Sequence, residues 1–192
     1  MDREETVAEP NVPSLTPPKN VLDDEWRQWL IGTWETAAES DLGQFKNWVK
    51  GRGHMRVESG LGGQFLIRKM EGHATEVSDE YVQHLRQTQH TSEEEIEKLR
   101  NLPFESIELH TFDPATGRIV AYLFDSWRCV AKGTGTRDGN REVLEWEWSV
   151  AGRGTSIRTT DKVGADKLVV TERYTLPDGV VMEDRVRMTR VH

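Results

Sequence analysis

The sequence predicts an all-β protein, an antiparallel β-barrel of consecutive hairpins that a short helix closes at one end. Apolar and polar residues alternate along most of the chain with the period of two that is typical of strands. Turn signals, such as the segment from Asp113 to Gly117 and the pair Asp138 and Gly139, separate the alternating segments. Apolar residues at helical spacing precede the first of these segments, which places a helix before the first strand.

Length and composition favour one domain. The chain has 192 residues, of which 35% are hydrophobic, enough for one sizeable core. The proline-rich segment 1–20 is expected to be a disordered tail, and residues 21–192 a single barrel domain. A net charge of −8 disfavours nucleic acid and anionic membrane surfaces as partners. One cysteine, no signal peptide and no apolar run of about 18 residues predict a cytoplasmic protein.

The predicted N-terminal helix acts as a plug. Its apolar residues recur at helical spacing: Leu22, Trp26, Trp29 and Leu30. Asn20, with Asp23 three residues later, is the expected N-cap, and Gly32 ends the helix. Trp34 then becomes the first side chain to point into the barrel, where a large aromatic residue anchors the core.

Three strands follow, predicted over residues 32–38, 47–58 and 64–72. The second strand has one face of glycine and apolar residues and one face of larger polar ones, and the pattern does not decide which face points inward. The larger residues are Trp48, Lys50, Arg52, His54 and Arg56. The glycine-rich segment 60–63 is interpreted as a hairpin connection rather than a phosphate-binding loop, because strands flank it on both sides.

Residues 76–102 interrupt the strand pattern and predict a short helical insert. Thr91 and Glu94 match a capping box for one helix, and a weaker helix is predicted over residues 79–86. The insert could cover a barrel mouth as a lid, form a surface excursion or make a dimer contact, and the sequence leaves these alternatives open. Three histidines in residues 73–103 have spacings that match no metal site and are expected to be solvated: His73, His84 and His90.

The next hairpin turns over the segment from Asp113 to Gly117, which pairs Asp113 with Arg118. That register places His110 opposite Ala121, and it predicts one shared inner face. The face consists of Ser106, Glu108, His110, Phe112, Ile119, Ala121, Leu123 and Asp125.

A second hairpin is predicted at Asp138 and Gly139, with Arg137 paired to Asn140. This register opposes small and large residues: Gly133 with Leu144, Ala131 with Trp146, and Cys129 with Trp148. Small residues opposite large ones are typical of an interior layer, while Lys132 and Glu145 pair on the outer face.

The last hairpin, with its turn from Leu176 to Val180, places two carboxylates on an apolar face. Counting outward from the turn pairs Glu172 with Asp184. The flanking pairs are Tyr174 with Met182, Val170 with Val186, and Leu168 with Met188. Two like charges about 5 Å apart at Cβ destabilise a sheet unless one is protonated or a cation lies beside them. The expected cations come from the second strand: Arg52, His54 and Arg56.

These residues predict a polar patch in an aromatic-lined cavity that orients a small, flat, partly polar ligand. The candidate catalytic residues, as acid or base, are Glu172, Asp184 and His110. The candidate ligand-binding residues are Arg52, His54, Asp125, Trp127, Trp146, Trp148, Tyr174 and Met182. No metal site is expected. Two alternatives stay open: a buried ionic network that only fixes the register, and a one-residue error in the turn count that turns both acids outward.

His110 and Asp125 form a second possible pair on neighbouring strands. An oriented His-Asp pair can act as a base, but no Gly-x-Ser-x-Gly motif or comparable nucleophile accompanies this one. The sequence therefore favours a core histidine. Cys129, among small and aromatic residues, is expected to be an inert buried thiol.

Several short motifs, taken in order, resemble an uncharacterised domain-of-unknown-function family of the calycin superfamily. They are Leu30 to Glu35, Gly62 to Leu66, Phe112 to Gly117, Asp125-Ser126, Asp178-Gly179 and Met182-Glu183. The resemblance spans residues 22–190, and the superfamily includes lipocalins, fatty-acid-binding proteins and nitrobindins. It implies a calycin-like up-and-down barrel of about 8–10 strands with a central cavity, and no agreed reaction.

The sequence also departs from these relatives. Its helical insert is longer than the usual connection of the family. Fatty-acid-binding proteins hold a carboxylate with Arg-x-Tyr on a late strand, where this chain has Asp184, so the resemblance disfavours fatty acids. Nitrobindins bind haem through a histidine on a late strand, and residues 180–191 contain none. No cofactor is therefore expected.

The leading functional hypothesis is a small-molecule-binding barrel. One alternative is a cofactor-independent enzyme, an isomerase, cyclase or lyase that uses interior carboxylates or His110. Another is a structural or dimerisation module with an apolar outer surface. The residues of this outer surface are Ile107, Leu109, Val120, Tyr122 and Phe124.

Overall fold

The protein is a closed antiparallel β-barrel, which confirms the predicted fold class. The computed structural model describes residues 23–149, 153–176 and 179–192, so the predicted tail over 1–20 lies outside the described residues. The described helices are α1 (Glu25–Leu30), α2 (Asp79–Thr88) and α3 (Glu93–Arg100). The described strands are β1 (Gly32–Leu42), β2 (Phe45–Gly60), β3 (Phe65–Val77), β4 (Pro103–Phe112), β5 (Ile119–Asp125), β6 (Val130–Asp138), β7 (Arg141–Ser149), β8 (Arg153–Gly164), β9 (Lys167–Thr175) and β10 (Val181–Val191). Consecutive strands pair with each other, and β1 pairs with β10 to close the barrel.

Helix α1 closes one end of the barrel, as predicted. Its N-cap is Asp24, whose carboxylate accepts a hydrogen bond from the backbone N–H of Arg27 at 3.1 Å. The predicted cap, Asn20, lies outside the described residues. Trp26 packs in one core cluster with Trp34, which is 0% exposed. The prediction that Trp34 anchors the core is confirmed.

Ionic contacts hold this helix to the barrel. Arg27 makes a buried ion pair with Glu142 of β7, with 2.5 Å between Nη2 and Oε2. Arg190 of β10 donates hydrogen bonds to the backbone carbonyls of Ile31, at 2.7 Å, and of Trp29. The helix is therefore anchored on two sides of the barrel.

Two hairpin registers match the predictions residue for residue. Ser106 pairs with Asp125 between β4 and β5, and the predicted inner face of these strands is buried or half-buried throughout. Glu172 pairs with Asp184 between β9 and β10. Both strand pairs carry a turn whose residue types restrict where the chain can reverse, which is why counting from the turn succeeded.

The predicted register of β6 and β7 was wrong by two residues. The turn consists of Gly139 and Asn140, so Gly133 lies opposite Trp146 instead of Leu144. Gly139 supplies a φ of 54° at the first central position of the turn. A shift of two residues preserves the alternation of faces, and the predicted interior side of these strands is still the interior side.

Gly133 allows a close approach that a side chain would prevent. A Cβ atom at this position would lie 2.8 Å from Cδ2 of Trp146, which is 1% exposed. The glycine therefore makes room for the indole ring across the strand pair.

The helical insert connects β3 to β4 at the end of the barrel opposite α1. Helix α3 begins with a capping box formed by Ser92 and Glu95. The prediction of Thr91 and Glu94 was wrong because both pairs satisfy the same spacing, and the backbone selects the later one. The two helices bury Val82 and Ile96 against Val77 at the end of β3, and α2 also buries Leu85.

The apolar outer face predicted as a dimer contact is exposed at Ile107 (45%), Tyr122 (39%) and Phe124 (46%) and half-buried at Leu109 and Val120. The dimer itself stays a prediction. None of the described helices is long and apolar enough to cross a membrane. The prediction of a cytoplasmic protein also stays a prediction.

Candidate functional site

A cavity of about 480 Å³ occupies the half of the barrel away from α1. Toward α1 the interior is filled by a core cluster that includes Trp34 and Leu66. At the opposite end the insert contributes Leu99 and Leu102 to the cavity wall. Of the three alternatives for the insert, this position agrees with a cover over the mouth.

Four charged side chains form the floor of the cavity. We call Arg68, Glu108, Arg158 and Glu172 the ionic floor; they come from β3, β4, β8 and β9. Arg158 bridges the two acids, with 2.5 Å from Nη1 to Oε1 of Glu108 and 2.5 Å from Nε to Oε2 of Glu172. Arg68 contacts the other oxygen of Glu108 at 3.2 Å. The floor thus contains two guanidiniums and two carboxylates.

The electrostatics of the floor favour the ionised forms of Glu108 and Arg158. Burial alone would raise the pKa of Glu108, but the Arg158 and Arg68 guanidiniums outweigh it and hold that pKa well below its usual range. Burial acts to lower the pKa of Arg158, and Glu108 and Glu172 reverse the effect, so the pKa of Arg158 is raised. The paired charges cancel, and the floor presents little net charge to the cavity.

The predicted carboxylate pair lies inside the barrel. Glu172 is 4% exposed and also accepts a hydrogen bond from Oγ of Ser156 at 2.6 Å. Its cation is Arg158, and the prediction of a cation from β2 was wrong. Strand β2 turns apolar residues such as Met55 inward, which leaves its basic side chains exposed. These exposed residues are Arg52, His54 and Arg56, of which Arg52 also borders the cavity.

Asp184 has a different environment from Glu172. The hydroxyl of Ser40 donates to its Oδ1 at 2.5 Å, and Tyr174 makes a second side-chain hydrogen bond to it. Burial raises the pKa of Asp184 to about 6; the Glu172 carboxylate also raises it, while the bonds from Ser40 and Tyr174 oppose the rise. Asp184 therefore titrates close to neutral pH.

Aromatic residues form the wall around Asp184. Trp48 donates from Nε1 to Oγ of Ser40 at 3.0 Å, and the ring centroids of Trp148 and Tyr174 lie 5.3 Å apart. Burial, together with the nearby acids Glu172 and Asp184, raises the pKa of Tyr174 well above its usual value, so its phenol stays protonated. Met182 lies opposite Tyr174 and also lines the cavity.

Two predicted site residues lie behind the wall. Trp146 packs against Arg158, whose guanidinium carbon Cζ lies 4.7 Å from the centroid of the Trp146 ring. Trp146 does not line the cavity. His110 is 1% exposed and also does not line the cavity. Its Nε2 lies 2.9 Å from Oε2 of Glu108. Burial lowers the pKa of His110 more than the hydrogen bond to Glu108 raises it, so the ring is a neutral donor to the floor.

The alternative pairing of His110 with Asp125 was wrong. The Asp125 carboxylate instead accepts hydrogen bonds from the backbone N–H groups of Trp127 and Cys129, both at 2.8 Å. It thereby fixes the tight turn between β5 and β6. Asp125 and Trp127 border the cavity, and Trp127 is 54% exposed at the mouth.

Cys129 is a buried thiol that borders the cavity. Burial, with smaller contributions from Asp125 and Glu172, raises its pKa to about 11. The thiolate fraction near neutral pH is therefore small, in agreement with the expectation of an inert side chain. No cluster of potential metal ligands occurs among the residues that the structure describes.

Five residues of the site are absent from the predicted site residues: Arg68, Glu108, Arg158, Ser40 and Trp48. The sequence predicts an inner position for Glu108 but no role in the site. Strand β8 inverts the expected pattern, because Arg158 points inward while Ile157, next to it, is 56% exposed. Arg68 lies opposite Val57 of β2. Its inward position follows once it is known that Val57 is on the inner face of β2. The roles of the predicted site residues in ligand binding stay predictions.

Comparisons with known proteins support the fold. No family model matches the chain, and no curated protein matches it. The structure is similar to that of the S-type phycobiliprotein lyase CPES from Guillardia theta, with 12% sequence identity, a TM-score of 0.54, and coverage of 91% of this chain and 94% of that chain. The redesigned beta barrel b11L5F_LGL has a TM-score of 0.38 at 12% identity, with 86% of this chain and 95% of that chain covered. A second redesigned barrel, mFAP1 bound to DFHBI, also has a TM-score of 0.38 at 10% identity, with 85% and 97% covered.

At 12% identity the similarity to the lyase establishes a shared fold only, which in this chain is a closed antiparallel barrel.

Proposed function

We propose that this protein binds a small organic molecule in the cavity above the ionic floor. The observation that carries the proposal is the cavity itself, about 480 Å³ in volume and bordered by aromatic, aliphatic and a few polar side chains. Ligand sites in proteins have this size and composition, whereas barrel interiors without a ligand are filled by their own side chains.

The polar groups favour recognition over packing alone. An ionic floor that only fixed the register would need no open volume beside it. Here Asp184 and Tyr174 border open volume, where a ligand could complete their hydrogen bonding. We also propose, from the motif resemblance, that the chain belongs to the uncharacterised calycin family and acts in the cytoplasm.

The test is to identify what co-purifies with the protein, by mass spectrometry of the denatured sample, and to block the cavity. Ala38 lines the cavity, whereas the next residue toward the helix, Ala37, is exposed. We expect Ala38→Trp to lose the bound compound and Ala37→Trp to retain it. A compound that stays bound to Ala38→Trp, or the same mass spectrum for all three proteins, would contradict the proposal.

A second candidate function is acid–base catalysis in the same cavity, and the pKa of about 6 at Asp184 specifically favours it. A carboxyl that titrates near neutral pH can both accept and donate a proton to a bound substrate. Asp184 is the candidate acid or base, because His110 lies behind the wall and the Glu172 carboxylate is held by Arg158.

The two functions differ in one measurement. If the co-purified compound is turned over, we expect Asp184→Asn to abolish turnover while binding persists. If the native protein leaves the compound unchanged, the binding function stands and the catalytic one fails.

A further inference from the structure

The acids that border the cavity are not equivalent. Each carboxylate of the ionic floor has a guanidinium partner within 3.2 Å. Asp184 makes its hydrogen bonds with Ser40 and Tyr174, which are neutral, and it takes part in no ion pair among the described residues. Asp125 also borders the cavity without an ion pair among the described residues, but its carboxylate accepts two backbone N–H groups of its own turn. Asp184 has neither a guanidinium nor a backbone N–H group as a partner there, so its charge is the one that the protein balances least.

The side chains around Asp184 present aromatic rings to the cavity rather than free hydrogen-bond donors. The indole N–H of Trp48 is occupied by Ser40, and that of Trp148 is occupied by Oγ of Ser156 at 2.7 Å. Trp148 also stands close to the ring of Tyr174. A ligand that reaches Asp184 therefore passes between aromatic surfaces, whose faces attract cations.

We infer that the ligand is a flat, largely apolar molecule with a basic nitrogen, and that its protonated nitrogen binds the Asp184 carboxylate. The inference rests on the proposed function and specifies its ligand class. A cation supplies the charge that Asp184 lacks as a partner, and it forms a charge-assisted hydrogen bond in a partly desolvated site. An anion at Asp184 would meet an unbalanced carboxylate, and the guanidiniums of Arg68 and Arg158 beneath it are already paired with acids. Arg52 also borders the cavity, but its side chain is exposed to solvent.

The charge arrangement predicts how affinity depends on pH. The charged and titratable groups that face Asp184 are Glu172 and Tyr174 on β9 and Arg158 on β8; its neighbours on β1 and β2, Ser40 and Trp48, are uncharged. Since the pKa of Asp184 is about 6, the carboxylate is mostly protonated at pH 5 and ionised at pH 8. An aliphatic amine stays charged over this range. Affinity for the cation is therefore expected to rise from pH 5 to pH 8.

Three fluorescent probes with one ring system test the inference: pyrenemethylamine, pyrenemethanol and pyreneacetate. By fluorescence titration at pH 8 we expect the amine to bind about tenfold more tightly than the alcohol, and the acetate to bind most weakly. At pH 5 the preference for the amine over the alcohol should largely disappear. Asp184→Asn should abolish the preference at pH 8 and leave the affinity for the alcohol within about twofold. Glu183→Gln, which removes a charge from the exposed face of the same strand, should keep it.

The outcomes separate this inference from the function on which it rests. Equal binding of the amine and the alcohol, or a preference that survives in Asp184→Asn, overturns the ligand class while the binding function stands. If no probe binds and no compound co-purifies, both fail. Circular dichroism of Asp184→Asn verifies that its barrel is intact, and retained binding of the alcohol gives the same information.

Discussion

Arg158 and Glu172 lie directly opposite each other on β8 and β9, with 2.5 Å between Nε and Oε2. Both side chains are nearly inaccessible to water, at 9% and 5% exposure. Removing two charges from water is costly, and their attraction offsets this cost only while both partners are present. The stability of the barrel should therefore depend on the pair more than on either residue.

Replacing both partners of this pair should destabilise the protein less than the sum of the two single replacements. We expect Arg158→Met to cost about 3–5 kcal/mol in the free energy of unfolding, because Glu172 then loses its cation. Glu172→Gln should cost less, about 1–3 kcal/mol, since Arg158 retains Glu108. In urea denaturation the double variant should lose at least about 1 kcal/mol less than the sum of the single losses. Additive losses would mean that the two side chains are not energetically coupled.

The pH dependence of stability should report Asp184. Its pKa is about 6 in the folded protein against a reference value of 3.8, so the folded state binds this proton more tightly than the unfolded chain. Protonation of Asp184 therefore stabilises the fold; this contribution is complete below about pH 4 and is lost as the pH rises through about 6. Asp184→Asn lacks it. We expect the stability of the variant relative to the native protein to rise by up to about 3 kcal/mol from pH 4 to pH 7.

Urea denaturation at a series of pH values measures this difference. Comparison with the native protein at each pH removes the contributions of other acids, such as Glu108, whose lowered pKa acts in the opposite direction. Glu183→Gln is the control, because it lies next to Asp184 on the exposed face. A relative stability of Asp184→Asn that does not change with pH would show that Asp184 is ionised as easily as in the unfolded chain.

The close contact at Gly133 predicts a selective effect of a single methyl group. Gly133→Ala places Cβ 2.8 Å from the buried Trp146 ring, so we expect a loss of about 1–3 kcal/mol in thermal or urea unfolding. Gly164→Ala is the matched control, because its Cβ would meet Lys167 at an ordinary 3.7 Å. Equal effects of the two substitutions would argue against the packing of Trp146 on Gly133.

Cys129 offers a probe of cavity access, because it is the one cysteine of the chain. Its pKa of about 11 and its burial should make reaction with Ellman's reagent at pH 8 slower by at least about tenfold in the folded protein than in urea. A ligand in the cavity should slow the reaction further, because Cys129 borders that space. A folded-state rate equal to that in urea would place the thiol at the surface.

The sequence predicted the hairpins well where a turn permits one register. The turn before Arg118 and the turn before Val180 each have residue types that suit one conformation, and the pairs counted from them are correct. At Asp138 and Gly139 two overlapping turns were compatible with the residues. The chain adopts the later turn. The observed register therefore differs from the predicted one by two residues, while the inner and outer faces of β6 and β7 are as predicted.

The ionic floor was predictable only in part. Glu172 was assigned to the interior from its own hairpin, but its partner Arg158 lies on a strand where the polar side chains face inward. Contacts such as that of Arg158 with Glu108 cross the barrel between residues 50 positions apart. They depend on barrel closure and diameter, which no local pattern specifies.

The ionic floor divides the barrel interior into two compartments with separate physical tasks. Below it, under α1, dense packing holds the chain together; above it, the side chains around Asp184 border the cavity in which we propose that a ligand binds. Substitutions above the floor can change which ligand is accepted, while the packed residues below the floor keep the chain folded. One scaffold of this kind can therefore diversify its recognition without loss of structural integrity.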